Sequence, residues 1–158
     1  MNKTKAGITN FPPSSIEDFL SLCIGEWITL RSFFELSSDA NNWHSSDRCI
    51  LSINLSSVED KLKEVIIDNT NSSATTRYFL LDGCFMSENS ITGQWKLWAD
   101  GSLELSYQKV LTNEEERERI WFTKPNLRLR SKITLNDDGT LLRAEFYSEI
   151  RRVNKGTI

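Results

Sequence analysis

Residues 91–108 read Ile91-Thr92-Gly93-Gln94-Trp95-Lys96-Leu97-Trp98-Ala99-Asp100-Gly101-Ser102-Leu103-Glu104-Leu105-Ser106-Tyr107-Gln108. Two runs of strand-like composition, Ile91–Ala99 and Ser102–Gln108, flank an Asp-Gly pair whose glycine supplies the positive φ that a tight hairpin requires. The same grammar recurs along the chain. Asp82-Gly83 and Asp138-Gly139 are further Asp-Gly turns, and Thr112-Asn113-Glu114 and Lys124-Pro125-Asn126 are other reversals. Around them lie Cys49–Leu55, Leu62–Ile67, Arg77–Leu81, Glu118–Phe122, Leu127–Ile133 and Leu141–Ile150, all short and rich in β-branched or aromatic residues. A strand also follows Gly25, where Trp27, Thr29, Arg31 and Phe33 alternate with Ile28, Leu30, Ser32 and Phe34. Seven to ten antiparallel strands without βα alternation predict an all-β barrel or sandwich.

One helix precedes the strands. Ser14 with Glu17, or Ser15 with Asp18, forms a capping box, and Ile16, Phe19, Leu20 and Cys23 follow helical spacing until Gly25. So short a helix must pack on something larger. Residues 1–13 read as a loose arm, 14–152 as a single β-barrel domain and 153–158 as a tail, while residues 35–47 lose the pattern and read as a loop.

Composition narrows the function. The chain has 158 residues, with 19 basic against 22 acidic side chains, so bulk charge does not favour nucleic acid. No run of apolar residues is long enough for a membrane span, and Lys3 and Lys5 precede no apolar segment of the kind a signal peptide needs. Cys23, Cys49 and Cys84 are odd in number and widely spaced, and His44 is the one histidine. Reduced thiols, a cytosol-like compartment and no metal site are the expectation.

The charged positions leave two readings open. Glu118-Arg119-Ile120-Trp121-Phe122, Leu127-Arg128-Leu129-Arg130 and Glu145-Phe146-Tyr147-Ser148-Glu149-Ile150-Arg151 all repeat charge at period two. On the first reading these residues form a solvated outer face over apolar insides. On the second they sit inside a cup, where they must pair with each other or meet a charged ligand. Five tryptophans, eight phenylalanines and three tyrosines suit a cup that holds something flat and apolar.

The run Glu118-Arg119-Ile120-Trp121-Phe122-Thr123-Lys124-Pro125-Asn126-Leu127-Arg128-Leu129-Arg130-Ser131 resembles the signature block of the CpcS/CpeS-type phycobiliprotein lyases. Two flanking features agree with that resemblance: Ile16–Gly25 followed by Glu26-Trp27 and Arg31-Ser32, and Phe146-Tyr147-Ser148-Glu149-Ile150-Arg151 near the end. Where many relatives carry histidine soon after the Arg-Ser pair, this chain has Phe33-Phe34-Glu35. The resemblance implies a lipocalin-like antiparallel barrel of about ten strands with an N-terminal helix. It implies a lyase that binds a linear tetrapyrrole, phycoerythrobilin or phycocyanobilin, non-covalently as substrate, with no prosthetic group. That bilin would be attached through a thioether to a cysteine of an apo phycobiliprotein subunit, a β subunit being favoured. A cyanobacterial cytosol or plastid stroma is the implied setting, and a homodimer is compatible with it.

On this reading Arg128 and Arg130 offer bidentate bonds to the two bilin propionates, with Arg31 as a further anchor. Glu118 and Glu149 are the candidate catalytic carboxylates, able to stabilise protonated pyrrole nitrogens and fix the pigment's conformation. Glu149 has the competing role of an internal salt bridge. Trp121 and Trp95 are candidate pigment contacts, whereas Trp27 is expected to plug the closed end. Two alternatives stand beside the lyase: a bilin carrier without ligation activity, and a lipocalin-like binder of a fatty acid or other apolar ligand.

Overall fold

The computed structural model describes residues 10–36, 42–87, 92–109 and 111–153. Most of the expected arm and tail, part of the 35–47 loop, and Ile91 lie outside the described residues. The helix α1 (Ile16–Cys23) is capped by Ser15, whose hydroxyl accepts from the Asp18 amide at 3.1 Å. Ten strands follow: β1 (Gly25–Glu35), β2 (His44–Val58), β3 (Lys61–Asp68), β4 (Ser73–Leu80), β5 (Cys84–Ser87), β6 (Thr92–Leu97), β7 (Leu103–Gln108), β8 (Glu115–Lys124), β9 (Leu127–Leu135) and β10 (Leu141–Arg151). Each pairs antiparallel with the next, and β10 returns to β1, so the sheet closes into a lipocalin-like barrel. Closure leaves no open sheet edge for another chain to pair with.

The Asp-Gly pairs at 82–83, 100–101 and 138–139 connect β4 to β5, β6 to β7 and β9 to β10. All three glycines adopt positive φ, between 82° and 97°. One strand has no counterpart in the sequence reading. β5 is only four residues long, too short to establish a period, and it pairs over Phe85 with Phe79 and Gly93. β2 starts at His44 rather than Cys49. Its first residues, His44-Ser45-Ser46-Asp47-Arg48, are exposed on both faces, so they carry no hydrophobic contrast that would mark them as a strand.

Alternation fixes what the barrel encloses. The register places Trp27, Thr29 and Arg31 of β1 level with Arg151, Glu149 and Tyr147 of β10. Those three lead in turn to Arg128, level with Glu149, and Arg130, level with Tyr147, on β9. One end of the interior is apolar and plugged. Phe19, Leu20 and Cys23 of α1 pack there with Trp27, Ile53 and Phe122, and Trp27 is fully buried with its indole Nε1 donating to the Cys23 carbonyl at 2.9 Å. Each such side chain contributes about 1.5–3 kcal/mol through burial. The Arg151 guanidinium donates to the carbonyls of Leu22 and Ile24 and lies 4.4 Å from the Trp27 ring. It thereby fastens the last turn of α1 over the plug, satisfying carbonyls that the helix leaves free.

Candidate functional site

Above the plug the barrel wall turns from apolar to charged. Arg128 and Arg130 stand two apart on β9, Glu149 faces them from β10, Glu118 from β8 and Arg77 from β4. Glu149 accepts from Arg128 Nε at 2.9 Å and from Arg130 Nε at 2.6 Å, and also from the Thr29 hydroxyl at 2.8 Å. Arg130 reaches on to Glu118 at 3.1 Å, and Arg77 closes the chain by donating to Glu118 at 3.1 Å. Three guanidiniums thus alternate with two carboxylates across the barrel. The second of the two readings of the charged strands is the observed one, and the charges satisfy each other.

Burial and partners set the protonation states. Burial alone pushes both carboxyls up, but the arginines outweigh it: Arg77 and Arg130 bring Glu118 down to about 2, and Arg130 and Arg128 bring Glu149 down to about 2. Both are therefore carboxylates at any physiological pH. Glu64 of β3 behaves differently. It is buried, joins none of these ion pairs, and burial raises its carboxyl against the lowering pull of Arg77 and Arg128.

The candidate residues take distinct positions. Arg128 is 2% exposed, is committed to Glu149 and stacks 4.9 Å from Trp27, so it forms the floor of the cup rather than its lining. Arg130 stacks 4.0 Å from the Tyr147 ring and does reach open space. Two adjoining cavities, of about 160 and 250 Å³, share Thr75 and Arg77. The first is bounded also by Arg31, Arg130 and Tyr147, the second by Tyr107, Lys109 and Lys132. Together they fall within the lower part of the ~300–1,000 Å³ typical of small-molecule sites. Arg31 sits at the mouth in an ion pair with Asp47, its Nε donating at 2.9 Å. Trp95 lies on the inner face opposite Leu105, its indole bound to the Leu80 carbonyl at 2.7 Å. Trp98 lies exposed, with Lys96 3.8 Å from its ring.

Trp121 lies on the outer face, level with Leu129 on β9 and near Arg119. There it borders a concavity of about 800 Å³ on the outside of β1, β10, β9 and β8, with Leu30, Leu129 and Phe146. His44 stacks 4.8 Å from Phe34, directly across from it on β2.

Arg77 and Glu64 are among the interior charges that the sequence reading passed over, as is Glu116, paired with Lys109 and Lys132. The signal was present: Arg77 precedes Phe79 by two residues, and Glu64 lies between Leu62 and Ile66 at the same spacing, so each shares its face with core residues.

Comparison with known proteins settles the family. A family model described as "CpeS-like protein" matches residues 63–152, which run from within β3 to the end of β10 and hold the whole charged cluster except Thr29. A chromophore lyase CpcS/CpeS 1 from Paulinella chromatophora is 53% identical over 148 residues, covering 93% of this chain and 94% of that protein. The chain belongs to the CpcS/CpeS-type lyase family. A chromophore lyase CpcS/CpeS 2 from Synechococcus sp. (strain JA-3-3Ab) is 36% identical over 75 residues, or 48% of this chain and 38% of that protein. Among solved structures, the S-type phycobiliprotein lyase CPES from Guillardia theta superposes with a TM-score of 0.71 at 19% identity, covering 91% of this chain and 96% of that one. A DUF3598-family protein of unknown function from Nostoc punctiforme superposes with a TM-score of 0.60 at 20% identity, covering 84% of this chain and 48% of that one. These two likenesses concern the fold. The family expected from residues 118–131 is the family found, and the chain is a lyase by descent.

Proposed function

We propose that this CpcS/CpeS lyase holds a linear tetrapyrrole in the barrel mouth and directs its thioether attachment to a cysteine of a phycobiliprotein β subunit. As a member of the family it is a bilin-binding lyase acting on phycobiliproteins. Phycoerythrobilin is the pigment favoured, with phycocyanobilin second, and the reaction runs in a cyanobacterial cytosol or plastid stroma. No helix among the described residues is long and apolar enough to cross a membrane.

The observation that carries the reading is a row of three guanidiniums held by two buried carboxylates on the inner wall of the barrel. Among the described residues Arg77, Arg128 and Arg130 are ion-paired with Glu118 and Glu149. A dianionic pigment with an apolar, flat body fits such a cup. Its propionates meet Arg77 and Arg130, which border the cavities, and Lys109 and Lys132 at the rim, while Trp95, Phe85 and Leu51 supply apolar wall. Glu118 and Glu149 act through Arg130. Their bonds hold its guanidinium in one orientation, so little ordering is left for the moment of binding. Holding the pigment in one conformation with ring A toward the mouth lets the acceptor thiol add to the ethylidene carbon at one face.

The test mixes purified protein with each bilin, follows absorption and fluorescence, and then adds apo β subunit with detection of covalent pigment under denaturing conditions. A shifted spectrum followed by transfer to one cysteine above the spontaneous background is expected. A shifted spectrum without faster transfer would reduce the protein to a carrier. No shift with either bilin would overturn the reading and redirect the search to fatty acids or other apolar ligands.

A further inference from the structure

Glu64 has no place in the chain of ion pairs, yet it sits among them. It points inward from β3, level with Leu55 on β2 and Arg77 on β4, and is 4% exposed. Its strand neighbour Arg77 turns away from it to bond Glu118 at 3.1 Å. The charged groups facing it are Arg77 from β4, Glu118 from β8, and Arg128 and Arg130 from β9, with the Cys23 thiol of α1 also within its field. A buried carboxylate without a hydrogen-bonded counter-ion is costly, so such a group takes up a proton.

Charge counting gives that proton a use. With Glu64 protonated, the cluster carries three guanidiniums and two carboxylates, an excess of one positive charge. With Glu64 ionised the excess vanishes. We propose that Glu64 is the proton donor to the bound tetrapyrrole, surrendering its carboxyl proton to the imine-type pyrrole nitrogen and remaining as the counter-ion of the resulting cation. This rests on the bilin reading above. One O–H bond breaks and one N–H bond forms, with no change of oxidation state. The ionised Glu64 then faces Arg77, Arg128 and a cationic pigment, which removes the reason for its protonation in the empty cup. A protonated bilin draws electron density from its ethylidene carbon and so accepts the incoming thiol more readily. When the attached pigment leaves, Glu64 recovers a proton from water. Glu118 and Glu149 cannot serve in this way, because their arginines keep them ionised.

The geometry also explains why the donor is a third carboxyl. A group locked between guanidiniums has no proton to give, and a group at the rim would exchange it with solvent before the pigment seats. Glu64, next to Arg77, whose side chain borders both cavities, is neither.

The test uses the full-length protein and phycoerythrobilin, with phycocyanobilin as the second probe. Infrared difference spectroscopy of the wild type, with and without pigment, should show loss of one protonated-carboxyl carbonyl band on binding. Glu64→Gln should lack that band when empty, should still bind pigment, and should hold it with the absorption of the unprotonated base at pH 8. Transfer to the β subunit should then slow by about a hundred-fold, the scale of a lost general acid, while Glu64→Asp restores part of the protonated absorption. A wild type without the band in its empty state overturns the proposal even if the glutamine variant fails to fold. So does pigment in Glu64→Gln with wild-type absorption and pH profile. Failure of the wild type to bind either bilin would overturn this proposal and the function together, whereas binding with an unchanged carboxyl band overturns this proposal alone.

Discussion

Replacing Glu149 with glutamine removes one charge and almost no volume, which makes it a clean measure of the cluster's contribution to folding. Glu149 is fully buried and is lowered from an ordinary 4.5 to about 2, its burial being outweighed by Arg130 and Arg128. At roughly 1.36 kcal/mol per unit, that lowering corresponds to about 3 kcal/mol of native-state stabilisation. Breaking a buried pair from one side usually costs ~3–5 kcal/mol, because the abandoned partner stays buried, and here that partner is Arg128. Glu149→Gln should therefore lose about 3 kcal/mol at pH 7, or roughly 6–12 °C in Tm for a chain of this length. The sign of the pH dependence follows from the lowered folded-state value. The stabilisation is complete above the unfolded carboxyl's value near 4.3 and disappears as pH falls through about 2. Urea unfolding of both proteins, followed by tryptophan fluorescence, should give curves that are far apart at pH 7 and converge between about pH 4.5 and 2. A difference below about 1 kcal/mol at pH 7, or one that stays constant through the acid range, would refute the reasoning. Since Glu118 shares Arg130 with Glu149, the acid transition belongs to the pair.

Other outcomes follow from the same interior. Glu64→Gln should shift stability in the opposite direction at pH 8: a raised carboxyl favours the fold at low pH and opposes it once pH exceeds the raised value, and glutamine escapes that cost. Parallel urea titrations at pH 5 and pH 8 will check it, and a lower midpoint at pH 8 would contradict it. Gly93→Ala should cost about 1–3 kcal/mol, because a Cβ there meets the Ser106 carbonyl oxygen at 2.2 Å and Tyr107 Cβ at 2.6 Å; thermal denaturation suffices to test this. Thiol labelling of the native protein should modify Cys84 first, since it is exposed, whereas Cys23 is buried, pushed up to about 12 by that burial, and should react only on unfolding. Mass mapping of the labelled peptides distinguishes the two.

Much of the architecture was legible because the strands carry their own contrast. Asp100-Gly101 and the runs beside it required no tertiary information, and neither did a serine cap for α1, although the sequence left Ser14 and Ser15 as alternatives and the structure uses Ser15. Legibility failed where contrast was missing. β5 is shorter than the pattern needed to see it, and the first residues of β2 are wet on both sides. At the site, spacing left two readings open and the family resemblance placed Arg128, Arg130, Glu118 and Glu149 among the candidates, and they do meet in one cluster. Spacing could not show that Arg128 is spoken for by Glu149, nor that Trp121 lies on the outer wall, because either face of β8 and β9 reads equally well in isolation. Arg77 and Glu64 went unread for a related reason: only closure of the barrel brings them beside residues on β8 and β9.

The seam between β1 and β10 has a consequence for how the protein comes into being. Thr29 and Glu149, hydrogen bonded across it, are 120 residues apart in sequence. Every other strand pairs with its immediate successor, so the growing chain can zip hairpin by hairpin as it emerges, each step closing only a short loop. The last strand alone brings Glu149 to Arg128 and Arg130, and it alone covers the free margin of β1. Until β10 has left the ribosome there is no cup, no counter-ion for Arg128 and two unpaired sheet edges. A nascent chain stalled before residue 141 is thus an adhesive open sheet, and the step that creates the binding site is also the one that ends its exposure to aggregation.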